Sequence, residues 1–270
     1  MDHAVPFIHF NLFGQDVRFD VAAILMVLVT SIIVFILARL CVRNASVTNP
    51  TKLQNFMEWV IEFVTNLIGM TMDLKKGKLY LGLGMTLIMY IFVGNMLGLP
   101  ASIITEHHEP TSIMGKPLIT QEQLDEKKAE VEEKGGEFHG IGFSWLKSPT
   151  ADASMTMALA VMVILLTHIE GLRRNTRHYL LHYITPHPLF LPLNLIKEVA
   201  KPLSLGLRLY GNIFAGEVMI SVIMGLGLAS IPALVVWQGF SVFVGAIQSF
   251  VFVMLTMVYM SQSIVHEEGH

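Results

Sequence analysis

The chain predicts an all-α, polytopic membrane protein: five transmembrane crossings, an interfacial amphipathic helix, and a long, steeply tilted C-terminal helical hairpin. Three observations carry this reading. Of 270 residues, 53% are hydrophobic and 14% charged, a balance that argues against a water-soluble domain of this size. Apolar runs long enough to cross about 30 Å of hydrocarbon recur along the chain. The last two such runs are longer than a crossing needs.

Residues 21–41 form the first span, free of charge until Arg39. Asp2, Asp16 and Asp20 precede it, with neither a basic leader nor a small-residue cleavage site, so it reads as retained and not as a signal peptide. In residues 52–73, Phe56, Trp59, Val60, Phe63, Val64 and Leu67 recur at three- and four-residue spacing, while Glu58 and Glu62 share another face. That pattern predicts an amphipathic helix along the membrane surface. The second span, 79–99, follows Lys75, Lys76 and Lys78, and its Gly82, Gly84, Gly94 and Asn95 suit close helix contacts. Residues 100–152 turn polar and acidic and read as an external loop. His107, His108 and His139 lie in it without metal-ligand spacing.

The third span, 153–169, begins after Pro149, Thr150 and Asp152. Arg173, Arg174 and Arg177 then open a cytoplasmic, re-entrant segment, 170–193, in which Pro186, Pro188 and Pro192 preclude one regular helix. The fourth span, 194–229, would be about 50 Å long as a helix and must tilt or bend, with Pro202 and the Gly225 and Gly227 pair as candidate irregularities. Pro232 marks a turn, 233–263 returns as the fifth span, and 264–270 is a solvated tail. Trp59, Trp145 and Trp237 read as interfacial anchors. Cys41, the single cysteine, reads as a small buried apolar residue.

Eleven Lys and Arg fall in 39–78 and 173–201, against six in the N-terminal segment and the 100–152 loop. The excess sets the N-terminus outside and the C-terminus in the cytoplasm.

The stretch from Lys201 to Glu217, KPLSLGLRLYGNIFAGE, places an arginine, an asparagine and a glutamate inside an apolar run. Charges there are expensive and usually functional. On a helical projection Lys201, Ser204, Asn212, Ala215 and Met219 fall within about 40° of Arg208, so the arginine projects from a face of mostly small or polar groups. Glu217 lies about 180° away and about 13.5 Å further along, too far to be a simple ion-pair partner. On the returning helix Ser241, Gly245 and Gln248 share a face. A turn centred near residue 228 sets Arg208 level with Gln248 and Glu217 near Ser241. The chemistry this suggests is ion transfer. Arginine cannot relay a proton but can hold a partner carboxylate ionised, whereas Glu217 can titrate. His168 and Glu170, at the inner surface, and His178, His182 and His187 read mainly as packing residues.

At KPLSLGLRLYGNIFAGE and IQSFVFVMLTMVYMS the sequence closely resembles the a-subunit family of F-type ATP synthases, and QNFMEWVIEF, TLIMYIFVGNMLGLP and WLKSPTADAS resemble its Gram-positive bacterial form. The likeness covers the chain apart from residues 105–142. It implies a stator subunit of a bacterial cell membrane, forming two offset half-channels beside a rotating ring of c subunits and held to the catalytic head by b subunits. It further implies that H+ is carried, with Na+ as the alternative, and that the nucleotide sites lie on other subunits, with no cofactor and no nucleic acid here. Arg208 resembles the arginine that faces the ring carboxylate. Asn212, Glu217 and Gln248 resemble the polar residues near it and in the outer half-channel. Ser241 stands where some members have a histidine, with Gly245 one turn on.

A free-standing ion-coupled transporter is the main rival, against which stand the lack of an internal repeat and of paired broken helices. An intramembrane enzyme lacks its metal signatures, and no GxxxxGK[ST] segment is present to hold a nucleotide. A purely structural subunit would leave Arg208 unexplained.

Overall fold

A computed structural model describes the chain apart from residues 1–6, 13–14, 99–103, 108, 111, 114–115, 118, 134–140, 145–147, 185–186, 228–229 and 265–270. His108, His139, Trp145 and most of the C-terminal tail therefore lie outside the described residues. The architecture is all-α. Three two-stranded antiparallel pairs are its only sheets among the described residues: β1 (Phe7–Leu12) with β2 (Gln15–Asp20), β3 (Ile104–His107) with β6 (Ile141–Ser144), and β4 (Ser112–Ile113) with β5 (Lys116–Pro117). The last two pairs, with helix α5 (Gln121–Glu133), lie in the polar loop.

Among the described residues, five helical segments are long and apolar enough to cross a membrane: Val21–Val42, Leu74–Leu97, Ala153–Arg174, Leu191–Met224 and Ser230–Ile264. The first is α1, begun by Asp20, whose carboxylate accepts the Ala23 N–H at 2.9 Å. The second comprises the short α3 (Leu74–Gly77), a 3-10 turn and α4 (Leu81–Leu97). Between the first two lies α2 (Lys52–Thr71), capped by Thr51. It buries Met57, Val64, Leu67 and Ile68 against the bundle, while Phe56 and Trp59 point outward, Trp59 being 61% exposed. A helix with one apolar side on protein and another uncovered suits the membrane interface.

The third crossing belongs to α6, which runs unbroken from Ala153 to Ile184. The sequence predicted a span ending near 169 and a separate segment after it; the helix instead continues through Arg173, Arg174 and Arg177. Basic residues end an apolar run without ending a helix, and no proline occurs until Pro186. A 3-10 turn, Pro188–Phe190, then leads into α7 (Leu191–Met224). Pro192 sits in its first turn, where a missing N–H removes no helical bond. Pro202 lies inside the helix. The glycine pair expected to bend this helix ends it: Gly225 is the C-cap, and Gly227 takes φ of 64°, a conformation side-chain-bearing residues rarely adopt. Helix α8 (Ser230–Ile264) starts ahead of Pro232, which falls in its first turn and does not mark the connection.

Helices α2, α4, α6, α7 and α8 share one core, including Val64, Ile91, Val163, Leu209, Phe252 and Met257. Glycine permits the closest approaches. A Cβ on Gly84 would lie 2.8 Å from Val64 Cγ1, and one on Gly206 would lie 3.2 Å from the Met157 Cα, so α6 and α7 meet nearly backbone to backbone. Helix α1 packs on the rim, against α4, α2 and a 3-10 turn at Pro149–Ala151.

Candidate functional site

Helix α7 divides its faces sharply. Leu205, Gly206 and Leu209 are buried, whereas Ser204, Leu207, Arg208, Asn212 and Ala215 are exposed. Arg208 itself is thus turned away from the rest of the chain, whereas Lys201 and Asn212, which share its helical face, reach back toward Tyr259 and Gln248 of α8. An added Cβ at Gly211 meets nothing within 4 Å, and exposed Leu203, Leu207 and Phe214 surround the arginine, so this surface is open and largely apolar apart from Arg208, Ser204 and Asn212.

One helical turn beyond Arg208 begins a cavity of about 210 Å³ between α4, α7 and α8. Its walls include Asn95 of α4 and Gly98 at its C-terminal cap, Asn212 and Glu217 from α7, and Trp237, Ser241, Gly245 and Gln248 from α8. That is room for several waters. Four of the five predicted site residues, Asn212, Glu217, Ser241 and Gln248, therefore share one cavity; Arg208 is not among its lining residues.

The turn lies close to its expected centre, with α7 ending at Met224 and α8 beginning at Ser230. Gln248, set by that turn near the level of Arg208, accepts at its Oε1 a hydrogen bond from Asn212 Nδ2, one turn along α7 from the arginine. Nearer the hairpin tip, the Trp237 indole N–H donates to the Gly216 carbonyl at 3.3 Å. Trp237 is a wall of the cavity tied to α7, a role the interfacial-anchor reading did not anticipate. Gln248 is 3% exposed, and its Nε2 has no partner among the described residues. A buried donor at a polar cavity is satisfied by water or by a passing oxygen group.

Asn95, read from sequence as a helix-contact residue, is 1% exposed and lines the cavity. Its Nδ2 donates to the Gly245 carbonyl at 3.1 Å, and its Oδ1 accepts from Thr150 Oγ1 at 2.7 Å. An asparagine preceded by glycine in an apolar span carried the only available signal.

Toward the N-terminal end of α7 lies a second polar group. Glu198 pairs with Lys201 at 2.6 Å and with His168 of α6 at 3.8 Å, while Lys201 stands over the Tyr259 ring of α8. Glu198 precedes Arg208 by ten residues, about 15 Å of helix. Beside it Glu170 accepts a hydrogen bond from Tyr80 at 3.1 Å and pairs with Arg173 and Arg174. His187 Nδ1 accepts from the Leu189 N–H, a local turn contact.

Chemically, then, α7 carries a fixed cation on an outward face, a titratable carboxylate in a cavity on one side of it, and a partly buried Glu, Lys and His group on the other. Among the described residues no group of three or more His, Cys, Asp or Glu side chains is placed to hold a metal ion. Residues 24–261 match the ATP synthase A chain family. Proteins called ATP synthase subunit a from Staphylococcus aureus strains JH9 and Newman are each 42% identical over 276 aligned positions, covering 99% of this chain and 100% of theirs. With the five spans and the arginine-bearing helix on α7, these matches establish that the chain belongs to the ATP synthase A chain family, as a multi-pass bacterial membrane protein.

Proposed function

We propose that Arg208 and the Glu217 cavity divide the ion path of this subunit into two half-channels that meet at a rotating ring of c subunits. As a member of its family the chain is the membrane-embedded, non-catalytic stator subunit that couples ion flow to rotation, and the nucleotide chemistry takes place on other subunits. The observation that carries the two-channel reading is that Arg208 is exposed and outside the cavity, while Glu217 lines it with Ser241 and Gln248.

In this reading a proton enters from outside, reaches the Glu217 level through cavity water, and passes to a ring carboxylate. Ser241, small and on the cavity wall, leaves room for water where a bulkier partner side chain would otherwise stand. Rotation brings an occupied ring site round to Arg208, whose permanent charge draws the carboxylate into its ionised form and bars a cation from crossing directly. The released proton leaves toward the cytoplasm near the Glu198 end of α7. H+ is the carried ion, with Na+ the alternative, because the selecting ligands belong to the ring. The N-terminus lies outside, the C-terminus in the cytoplasm of a bacterial plasma membrane, and b subunits of the peripheral stalk hold the chain to the catalytic head.

Helix α7 has 34 residues, about 51 Å at about 1.5 Å each, against about 30 Å of hydrocarbon. A steep tilt of the α7 and α8 hairpin, which suits a surface lying against a curved ring, accommodates that excess. The test is oxidative cross-linking in the assembled complex. A cysteine replacing Leu207 should form a disulfide with one placed near the ring carboxylate, whereas a cysteine replacing buried Leu205 should not. Efficient cross-linking of Leu205→Cys with none at Leu207→Cys would reverse the assigned face and reject the reading.

A further inference from the structure

We infer that Thr150, on the buried turn that ends the external loop, is a positioning residue of the ion path, acting through Asn95 to fix the wall of the Glu217 cavity. The inference rests on the two-channel reading above and adds to it a residue that does not itself line the cavity.

The geometry is a chain of hydrogen bonds across three elements. Thr150 Oγ1 donates to Asn95 Oδ1 of α4 at 2.7 Å, and Asn95 Nδ2 donates to the Gly245 carbonyl of α8 at 3.1 Å. Ser148 Oγ reaches the Gly94 carbonyl at 2.8 Å and lies 2.6 Å from Thr150 Oγ1. Ser148, Thr150 and Asn95 are 2%, 3% and 1% exposed, so no bulk water substitutes for a lost partner. The turn also sits hard on α4. A Cβ on Gly98, itself a cavity residue, would fall 2.4 Å from Ser148 Cβ, and one on Gly94 would fall 3.3 Å from Pro149 Cγ. On the far side a Cβ on Gly245 would meet Asn95 Cβ at 3.3 Å. The last turn of α4 is thus held from the loop side by residues 148–150 and attached to α8 at the level of the cavity.

This chain is a strut and not a proton relay. An asparagine amide neither takes up nor releases a proton at physiological pH. Thr150 has one hydroxyl proton and gives it to Asn95, which settles which way the amide faces and leaves its NH2 group for Gly245. Without that bond the amide loses its orientation, and the separation of α4 and α8, hence the water column beside Glu217, loosens.

The test compares Thr150→Val, Thr150→Ala and Thr150→Ser in the intact complex reconstituted in vesicles, with Glu217→Gln alongside. Thr150→Val keeps shape and removes the hydroxyl, and its initial rate of ATP-driven proton pumping should fall about tenfold, less than the roughly hundredfold loss a 1 Å misplacement can produce. Thr150→Ser restores the donor and should return the rate to near wild type. The pH midpoint of pumping should stay in place, since nothing titratable has changed. A wild-type rate in assembled Thr150→Val, an equally slow Thr150→Ser, or a shifted pH midpoint would each overturn the inference. Failure of both Val and Ala variants to assemble while Ser assembles would make the hydroxyl a folding determinant and likewise overturn it. If Glu217→Gln pumps normally, the underlying path reading falls; if it is slow while Thr150→Val is normal, only the strut falls.

Discussion

Replacing Gly206 probes how closely the arginine helix is seated. A Cβ at this position would lie 2.5 Å from Met157 Sδ, 3.2 Å from the Met157 Cα and 3.4 Å from Ala160 Cβ. The sulfur can swing aside, because methionine has three rotatable side-chain bonds. The α6 backbone cannot, so Gly206→Ala must push α7 outward by a few tenths of an ångström. Overpacking of this kind costs about 1–3 kcal/mol, and alanine returns about 0.5–1 kcal/mol by restricting the unfolded chain, leaving a net loss of up to about 2.5 kcal/mol. Gly206→Val adds two more methyl groups than alanine, without alanine's helix preference, and should reach about 3 kcal/mol. Arg208 lies two residues on, so the displacement carries to the face proposed to meet the ring. The checks are thermal stability of the detergent-purified complex and ATP-driven pumping, with a graded loss from Gly to Ala to Val and about a threefold to tenfold fall in pumping for Val. Wild-type stability and pumping in Gly206→Val would mean that α6 and α7 are not in contact at this glycine.

Glu217→Gln keeps size and hydrogen-bonding capacity but removes titration, so pumping should slow in a complex that still assembles; unchanged pumping from pH 6 to 9 would show that cavity water needs no carboxylate there. Trp237→Phe deletes the indole N–H that reaches Gly216 and should lower the stability of the α7 and α8 hairpin by about 0.5–1.5 kcal/mol, read by denaturant unfolding in detergent. A deletion within 105–142 that leaves the Ser148 to Ala151 turn intact should preserve ion transfer, because that stretch is solvent-compatible; a complex that assembles but pumps at a small fraction of wild type would contradict this.

The spans were legible because hydrophobicity is a local property. So were Arg208 and Glu217, since a charge in an apolar run is visible without any fold. The length of α6 was not legible, because Arg173 and Arg174 end the hydropathy signal while the backbone continues undisturbed to Ile184. The pairing of Gln248 with Asn212 was legible only in part: a turn centred near residue 228 brings Gln248 to this level of α7, but which side chain it reaches depends on the fold. Asn95 was hidden for a different reason. Its partners, Thr150 and Gly245, lie 55 and 150 residues away in sequence, so only the tertiary fold brings them to it. Trp237 looked like an interfacial anchor for the same reason, its partner being a backbone carbonyl on the neighbouring helix.

Arg208 on the outward face of α7 is the centre of the account, and its replacement in an assembled complex is the most direct test. Arg208→Ala should abolish ATP synthesis driven by an imposed ion gradient, because alanine neither attracts an ionised carboxylate nor blocks a direct cation route. Arg208→Lys should fail nearly as badly, since lysine retains a charge but gives up the planar, multi-donor head and can lose its proton when desolvated. Gradient-driven synthesis at near wild-type rate by assembled Arg208→Ala would contradict the account.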